Sequence, residues 1–125
     1  MIALDTSSIV AYLAGERAPD TDAADAAIER RSAVLPPVVL TELLSAPNLD
    51  RSGHDTLLAL PLLDVLDGYW ERAGLLRSRL HAHGLKARLA DALIAQSCLD
   101  HRVSLITRDR DFRHFVQHGG LQIQP

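Results

Sequence analysis

The chain contains few of the residues that mark specialised protein classes. Its 125 residues include one cysteine, one tryptophan and 4% aromatic residues. A lone cysteine, Cys98, makes no internal disulfide, which excludes a disulfide-stabilised fold and fits a reducing compartment. Its helical, apolar context predicts a small buried side chain. The shortage of aromatic rings argues against a protein that binds nucleic acid by stacking its bases.

Positive charge is also scarce overall. The formal net charge of -3 is too acidic for a protein that coats nucleic acid without specificity. The charges are unevenly distributed, however, with six acids and one base up to Glu29 and nine of the thirteen bases from Arg72 to Arg113. One face of the folded protein could therefore still attract phosphate groups.

Long apolar runs are missing as well. The start lacks the basic flank and apolar stretch of a secretory signal, and no run approaches the length of a membrane span. A cytoplasmic protein without membrane contact is expected. With 47% hydrophobic residues, a chain of this length can bury a core of its own, so residues 1–125 are predicted to form a single domain.

Short apolar segments alternate with helical patterns along the chain. The predicted strands are residues 2–4, 33–35, 63–66, 103–107 and 121–123, and helices are predicted between them. This order indicates an α/β fold of three layers, with helices on both sides of a central, mostly parallel sheet of about five short strands. In the long helix 67–83, Trp70, Ala73, Leu76 and Leu80 are predicted to face the core.

Four acidic residues lie in or directly after apolar segments. Asp5 and Asp109 follow predicted strands, whereas Glu42 and Asp91 lie inside apolar helical segments. Ligands of parallel sheets bind beyond the carboxyl ends of the strands, so Asp5 and Asp109 should meet at that edge. If the carboxylates approach to about 5 Å, each pair repels by on the order of 3 kcal/mol at an effective dielectric near 20. A divalent cation would relieve this repulsion, and oxygen ligands favour Mg²⁺ or Mn²⁺.

Each acid also has a structural explanation. Asp5 and Asp109 could cap the helices that follow them, and Asp111 could complement a helix dipole. Asp91 lies in the first turn of its helix, with Arg88 three residues earlier as a possible partner. Glu42 is harder to explain in this way, because no cation lies within one helical turn of it.

The ordered set of acidic motifs resembles that of PIN-domain ribonucleases over essentially the whole chain. The motifs are Leu4-Asp-Thr-Ser7, Val38-Val-Leu-Thr-Glu-Leu-Leu44, Asp91-Ala-Leu-Ile-Ala95 and Thr107-Arg-Asp-Arg-Asp-Phe112. Short members of this family are the VapC-type toxins of type II toxin-antitoxin pairs. The resemblance implies a Mg²⁺-dependent endoribonuclease, an RNA substrate, a cognate antitoxin and a homodimer.

The resemblance also implies roles for single residues. It places Asp5, Glu42, Asp91 and Asp109 in an acidic catalytic pocket that binds the metal, with Asp111 as a fifth contributor. Hydroxyl groups of Thr6 or Ser7 and of Thr107 would orient a carboxylate or a metal-bound water.

Basic residues next to two of the acidic motifs are candidates for binding the RNA backbone. They are Arg88, Arg108 and Arg110, with Lys86 and Arg113 close by in sequence. A zinc site is not expected, because His81 and His83 diverge on a helix and the pair His114 and His118 has no third ligand nearby in sequence.

Two other functions remain open at this stage. A phosphatase of the haloacid-dehalogenase type also has an Asp nucleophile after its first strand, but it usually has a second Asp two residues later, where this chain has Ser7. A non-catalytic protein-binding module, with its acids acting only as helix caps, is the third hypothesis.

Overall fold

The computed structural model describes residues 1–124 as four strands, seven α-helices and one 3-10 helix. The strands are β1 (Ile2–Leu4), β2 (Ala33–Val34), β3 (Ser104–Ile106) and β4 (Ile123–Gln124). The helices are α1 (Thr6–Leu13), α2 (Pro19–Glu29), α3 (Pro37–Leu44), α4 (Arg51–Ala59), α5 (Tyr69–Ala82), α6 (Leu89–His101) and α7 (Arg113–Gly119), and the 3-10 helix is Arg110–Phe112.

The four strands form one parallel sheet in the order β2-β1-β3-β4. β1 lies between β2 and β3, and Leu4 pairs with Ile106. The amide of Asp5 continues this pairing by donating to the carbonyl of Ile106 at 3.0 Å. The first residues beyond β1 and β3, Asp5 and Thr107, are therefore neighbours at the carboxyl edge of the sheet.

Helices cover both faces of the sheet. Successive side chains of a strand point to opposite faces, and Ala3, Leu4, Leu105 and Ile106 are all 0% exposed. Both faces of β1 and β3 are thus buried, as the predicted three-layer α/β/α architecture requires. Short apolar strands without polar alternation are typical of such doubly covered sheets.

The predicted strand 63–66 is wrong. Only a single parallel bridge, Leu35 to Leu62, forms there, supported by the amide of Leu63 donating to the carbonyl of Leu35 at 2.9 Å. The chain then leaves the sheet, and Val65 and Leu66 are 47% and 41% exposed. The sheet therefore has four strands, because residues 63–66 lie partly on the surface and not in a buried strand.

The predicted core position of Trp70 is also wrong. Trp70 is 63% exposed, whereas its neighbour Tyr69 is 4% exposed and donates its hydroxyl to the carbonyl of Leu93 at 2.7 Å. Each helical residue advances about 100°, so Tyr69 falls on the stripe of Ala73, Leu76 and Leu80, and Trp70 points away from it.

The prediction for Cys98 is confirmed. Its side chain is 0% exposed, and burial raises the pKa of the thiol to about 12. Cys98 therefore behaves as a small apolar core residue. Among residues 1–124, none of the helices combines the length and the apolar character needed to span a bilayer.

Candidate metal centre

Asp5 is a buried carboxylate at the end of the central strand. It is 3% exposed, and its Oδ2 accepts hydrogen bonds from Ser7 Oγ and Thr107 Oγ1, both at 2.7 Å. Asp5 occupies the N-cap position of α1 without a side-chain cap hydrogen bond, and these two hydroxyl groups fix its Oδ2. The structure therefore directs the Asp5 side chain into the edge of the sheet.

Thr107 connects Asp5 to the loop that follows β3. Its Oγ1 donates to Asp5 and accepts from the backbone amide of Asp109 at 3.0 Å. Asp109 Oδ1 in turn accepts from the amide of Asp111 at 2.9 Å, so the predicted cap is real and starts the 3-10 helix. Asp109 thus uses one of its two carboxylate oxygens to form the cap.

Asp91 joins this loop from the first turn of α6. One carboxylate oxygen each from Asp91, Asp109 and Asp111 lies within 4.8 Å of the other two. Ligand oxygens bound to one divalent cation at 2.0–2.6 Å have separations of up to about 5 Å. The three aspartates thus have a spacing that suits a single cation.

The electrostatics of the cluster are unfavourable without such a cation. Burial, followed by the charges of Asp109 and Asp5, raises the pKa of Asp91 to about 6, although Arg88 opposes the shift. Burial also raises the pKa of Asp5, against the hydrogen bonds from Ser7 and Thr107. Residues 1–124 form four ion pairs, and none of these includes an acid of the cluster.

Glu42 lies at the rim of the cluster. It is exposed on α3, and its Oε1 accepts a hydrogen bond from Thr6 Oγ1 at 2.7 Å. Its negative charge contributes to the raised pKa of Asp91. The structure therefore brings Asp91, Asp109 and Asp111 within ligand distance of one another, whereas Asp5 and Glu42 lie outside that group but close enough for their charges to raise the pKa of Asp91.

The chain matches a known protein family. A family model described as "PIN domain" matches residues 2–116, which is most of the chain. The chain belongs to the PIN domain family. A search of curated proteins gives no match.

Solved structures with this PIN fold are similar over nearly their whole length. VapBC2 from Rickettsia felis, bound to a DNA fragment from its promoter, shares 21% identity at a TM-score of 0.79, covering 99% of this chain and 98% of that one. FitAcB from Neisseria gonorrhoeae shares 20% identity at a TM-score of 0.68, covering 100% of this chain and 97% of that one. VapBC-5 from Mycobacterium tuberculosis is a member of the VapBC family of toxin-antitoxin systems. It shares 23% identity at a TM-score of 0.61, covering 98% of this chain and 94% of that one.

The predicted RNA-binding arginines of this PIN domain lie in different surroundings. Arg88 and Arg110 are exposed, and Arg110 lines an open depression of about 260 Å³ together with Thr107, Asp109 and Arg113. Arg108 also borders this depression, but its guanidinium bonds Asp20 twice, at 2.8 and 3.0 Å, and Glu16 twice, at 3.0 Å. The charge of Arg108 is therefore already neutralised by two carboxylates.

The sequence alone did not reveal the pairing of Arg108 with Asp20 and Glu16. Asp20 on α2 and Glu16 in the α1–α2 connection are 88 and 92 residues from Arg108, so no local sequence pattern links them. The nearest sequence signal is an acid in the first turn of α2, which is also explained by the helix dipole.

Proposed function

We propose that this PIN domain is a metal-dependent endoribonuclease, the toxin of a type II toxin-antitoxin pair. The observation that carries the proposal is the convergence of Asp91, Asp109 and Asp111, with the buried Asp5 close enough for its charge to raise the pKa of Asp91. Nuclease activity is general among PIN domains, and the family match covers residues 2–116. The catalytic residues of the proposal are Asp5, Glu42, Asp91 and Asp109.

The donor set fits a hard divalent cation. All candidate ligands are carboxylates, and Asp91, Asp109 and Asp111 offer oxygens within 4.8 Å of one another. Oxygen ligands of this kind suit Mg²⁺, and Mn²⁺ as an alternative. Asp91, Asp109 and Asp111 would hold the ion together with Asp5, and Glu42 would contribute from the rim.

The protein's own contribution to phosphodiester hydrolysis is to hold these groups in place. When bound, the divalent ion would activate a water molecule and neutralise charge on the phosphate oxygens. Ser7 and Thr107 fix the orientation of the Asp5 carboxylate through its Oδ2. Thr6 holds Glu42 at the rim, where this carboxylate could accept a proton from water.

The substrate would approach over exposed cations next to the acids. Arg88 is near enough to Asp91 to influence its pKa, and Arg110 and Arg113 border the depression beside Asp109. Side chains of this kind bind backbone phosphates without reading the sequence. The choice of RNA over DNA rests on the family resemblance.

The proposed partners are an antitoxin and a second copy of the chain. Two of the similar structures are VapBC complexes, and one of these is bound to promoter DNA. Exposed apolar side chains support a protein partner, because contiguous apolar surface commonly marks an interaction site. They include Val65 and Trp70, at 47% and 63% exposed, which line the same depression. We place the protein in the cytoplasm, in keeping with its single, unpaired cysteine.

The decisive experiment incubates the antitoxin-free protein with structured RNA, in the presence of Mg²⁺, Mn²⁺ or a chelator. The variants Asp5→Asn and Asp91→Asn are compared with Asp22→Asn, whose carboxylate is in an exposed ion pair with Arg17. Cleavage that needs metal and is lost only in the first two variants supports the proposal. Equal cleavage by all variants, or cleavage that survives the chelator, shows a contaminating nuclease.

The same samples test the two other functions. A haloacid-dehalogenase type phosphatase would form an acid-stable phosphoryl adduct on Asp5, but Ser7 occupies the position of its usual second Asp and hydrogen-bonds to Asp5 instead. A protein-binding module would show no metal-dependent reaction. Growth arrest on expression, abolished by Asp91→Asn, is expected for a toxin only.

A further inference from the structure

The ion-paired group next to the acidic cluster links three parts of the fold. Arg108, directly before Asp109, bonds Asp20 through Nε at 2.8 Å and Nη2 at 3.0 Å. Ser8 of α1 donates to the same carboxylate at 2.8 Å, and Glu16 binds Arg108 Nη1 from the α1–α2 connection. The loop that carries Asp109 is thus tied to α1 and α2.

This group is tightly paired and is buried at its Asp20 end, whereas the outer partner Glu16 is 51% exposed. The side chains of Asp20 and Arg108 are 9% and 33% exposed, and Ser8 is 0% exposed. A bidentate arginine-carboxylate pair fixes orientation as well as distance, because the guanidinium is a rigid planar fork. Pairing with Arg108 lowers the pKa of Asp20 to about 2, so the pair stays charged over the physiological range.

We infer that the Asp20–Arg108 pair is a positioning device that holds residues 107–111 in the geometry needed to bind the cation. The inference rests on the proposed function of the acidic cluster. Arg108 lies between Thr107, which bonds Asp5 and the amide of Asp109, and Asp109, which bonds the amide of Asp111. Anchoring the side chain of Arg108 therefore restricts the backbone of the loop that supplies two of the three clustered aspartates. Arg108 acts through its neighbours and not as a contact to RNA.

The chain contains a matched control pair. Arg72 binds Asp100 in the same bidentate manner, at 2.9 and 2.7 Å, with side chains 41% and 8% exposed. Asp100 is nine residues after Asp91 on α6, about 13 Å along the helix axis. Arg72→Lys and Arg108→Lys each retain one positive charge and lose the planar fork. They differ in whether the pair adjoins the acidic cluster.

The experiment compares Arg108→Lys, Asp20→Asn and Arg72→Lys with the unchanged protein. Hydrogen exchange of the metal-free protein reports on the amides of Asp109 and Asp111, calorimetry gives the Mn²⁺ dissociation constant, and RNA cleavage gives kcat and KM. Arg108→Lys and Asp20→Asn are expected to speed exchange at both amides and to weaken Mn²⁺ binding by about tenfold, as for other residues that orient metal ligands. Arg72→Lys should lose comparable thermal stability and change none of these three measurements.

Three results would overturn the inference. One is unchanged exchange at Asp109 and Asp111 in Arg108→Lys, and another is an equal change in Arg72→Lys. The third is a higher KM with unchanged kcat and a weaker salt dependence, which would make Arg108 a phosphate contact. Hydrogen exchange decides the matter even if the protein cleaves no RNA, so failure of the proposed function and failure of the positioning role are distinguishable.

Discussion

Asp91 and Asp20 occupy equivalent positions and have opposite electrostatics. Each lies in the first turn of its helix, α6 for Asp91 and α2 for Asp20. Burial and the charges of Asp109 and Asp5 raise the pKa of Asp91 to about 6, whereas pairing with Arg108 lowers the pKa of Asp20 to about 2. A helix N-terminus favours a negative charge at both positions, so the neighbours and not the helix decide the outcome.

The comparison separates a carboxylate used for architecture from one available to a ligand. Arg108 neutralises the charge of Asp20, so Asp20 contributes to folding. Asp91 is surrounded by like charges, which costs stability unless an external cation binds. The proposed metal site of this small protein is thus recognisable by an excess of negative charge that the chain itself does not neutralise.

The largest expected effect is the loss of RNA cleavage when the charge of Asp91 is removed. Asp91→Asn removes a proposed metal ligand, and since residues that only orient such ligands contribute 10–100-fold, the cleavage rate should fall by at least about 100-fold. The rate is measured on an RNA oligonucleotide with saturating Mg²⁺, with Asp22→Asn as the control. A rate within threefold of the unchanged protein would show that Asp91 holds no metal.

Metal should stabilise the fold only through the acidic cluster. At about 100 times its dissociation constant, Mn²⁺ should raise the free energy of unfolding by about 2.7 kcal/mol. Denaturant titrations with and without Mn²⁺ measure this gain. The gain should be absent in Asp91→Asn, and an undiminished gain in that variant would place the cation elsewhere.

Removing the charge of Asp20 should destabilise the metal-free protein, whereas removing that of Asp91 relieves repulsion and should stabilise it. Asp20→Asn leaves Arg108 with only the exposed Glu16, and after allowance for its partial exposure the cost is about 2 kcal/mol. The surface pair of Arg17 with Asp22, at 85% and 54% exposed, is the control, and Arg17→Gln should cost less than about 0.5 kcal/mol. Equal losses in chemical denaturation would mean that Asp20 is no more structural than a surface acid.

The smallest effect is a pH dependence of opposite sign for the two residues. In the metal-free protein the raised pKa of Asp91 favours folding when the group is protonated, so stability should rise by about 1 kcal/mol as the pH falls from 7 to 5. The lowered pKa of Asp20 contributes stability above about pH 4, and this contribution is lost as the pH falls towards 2. Asp91→Asn should remove the change in the free energy of unfolding between pH 7 and 5. If that change persists in the variant, another group causes it.

The sequence predicts those parts of the fold that depend on local pattern. The strands β1 and β3 were predicted within a residue at each end, because burial on both faces gives a short apolar run of adjacent residues. The strand 63–66 and the buried Trp70 were wrong, because an apolar residue on the surface has the same sequence signal as one in the core.

The acidic cluster was predictable as a set and only partly in its detail. The parallel order of the strands brings Asp5 and Asp109 to one edge, which explains why topology sufficed for them. The hydrogen bonds of Thr107 and the ion pairs of Arg108 depend on side-chain directions that the sequence does not encode locally. Arg108 was therefore assigned to RNA, whereas the structure gives it two carboxylate partners.

The direction of the outer strand has a practical consequence for labelling and fusion. β4 runs parallel to β3, with Gln124 opposite Ile106, so the polypeptide leaves β4 at the same edge as Asp109. Ile123 even borders the depression beside that residue. A fluorophore or affinity tag attached after β4 would begin next to the acidic cluster, whereas one attached ahead of Ile2 would begin at the far edge of the sheet.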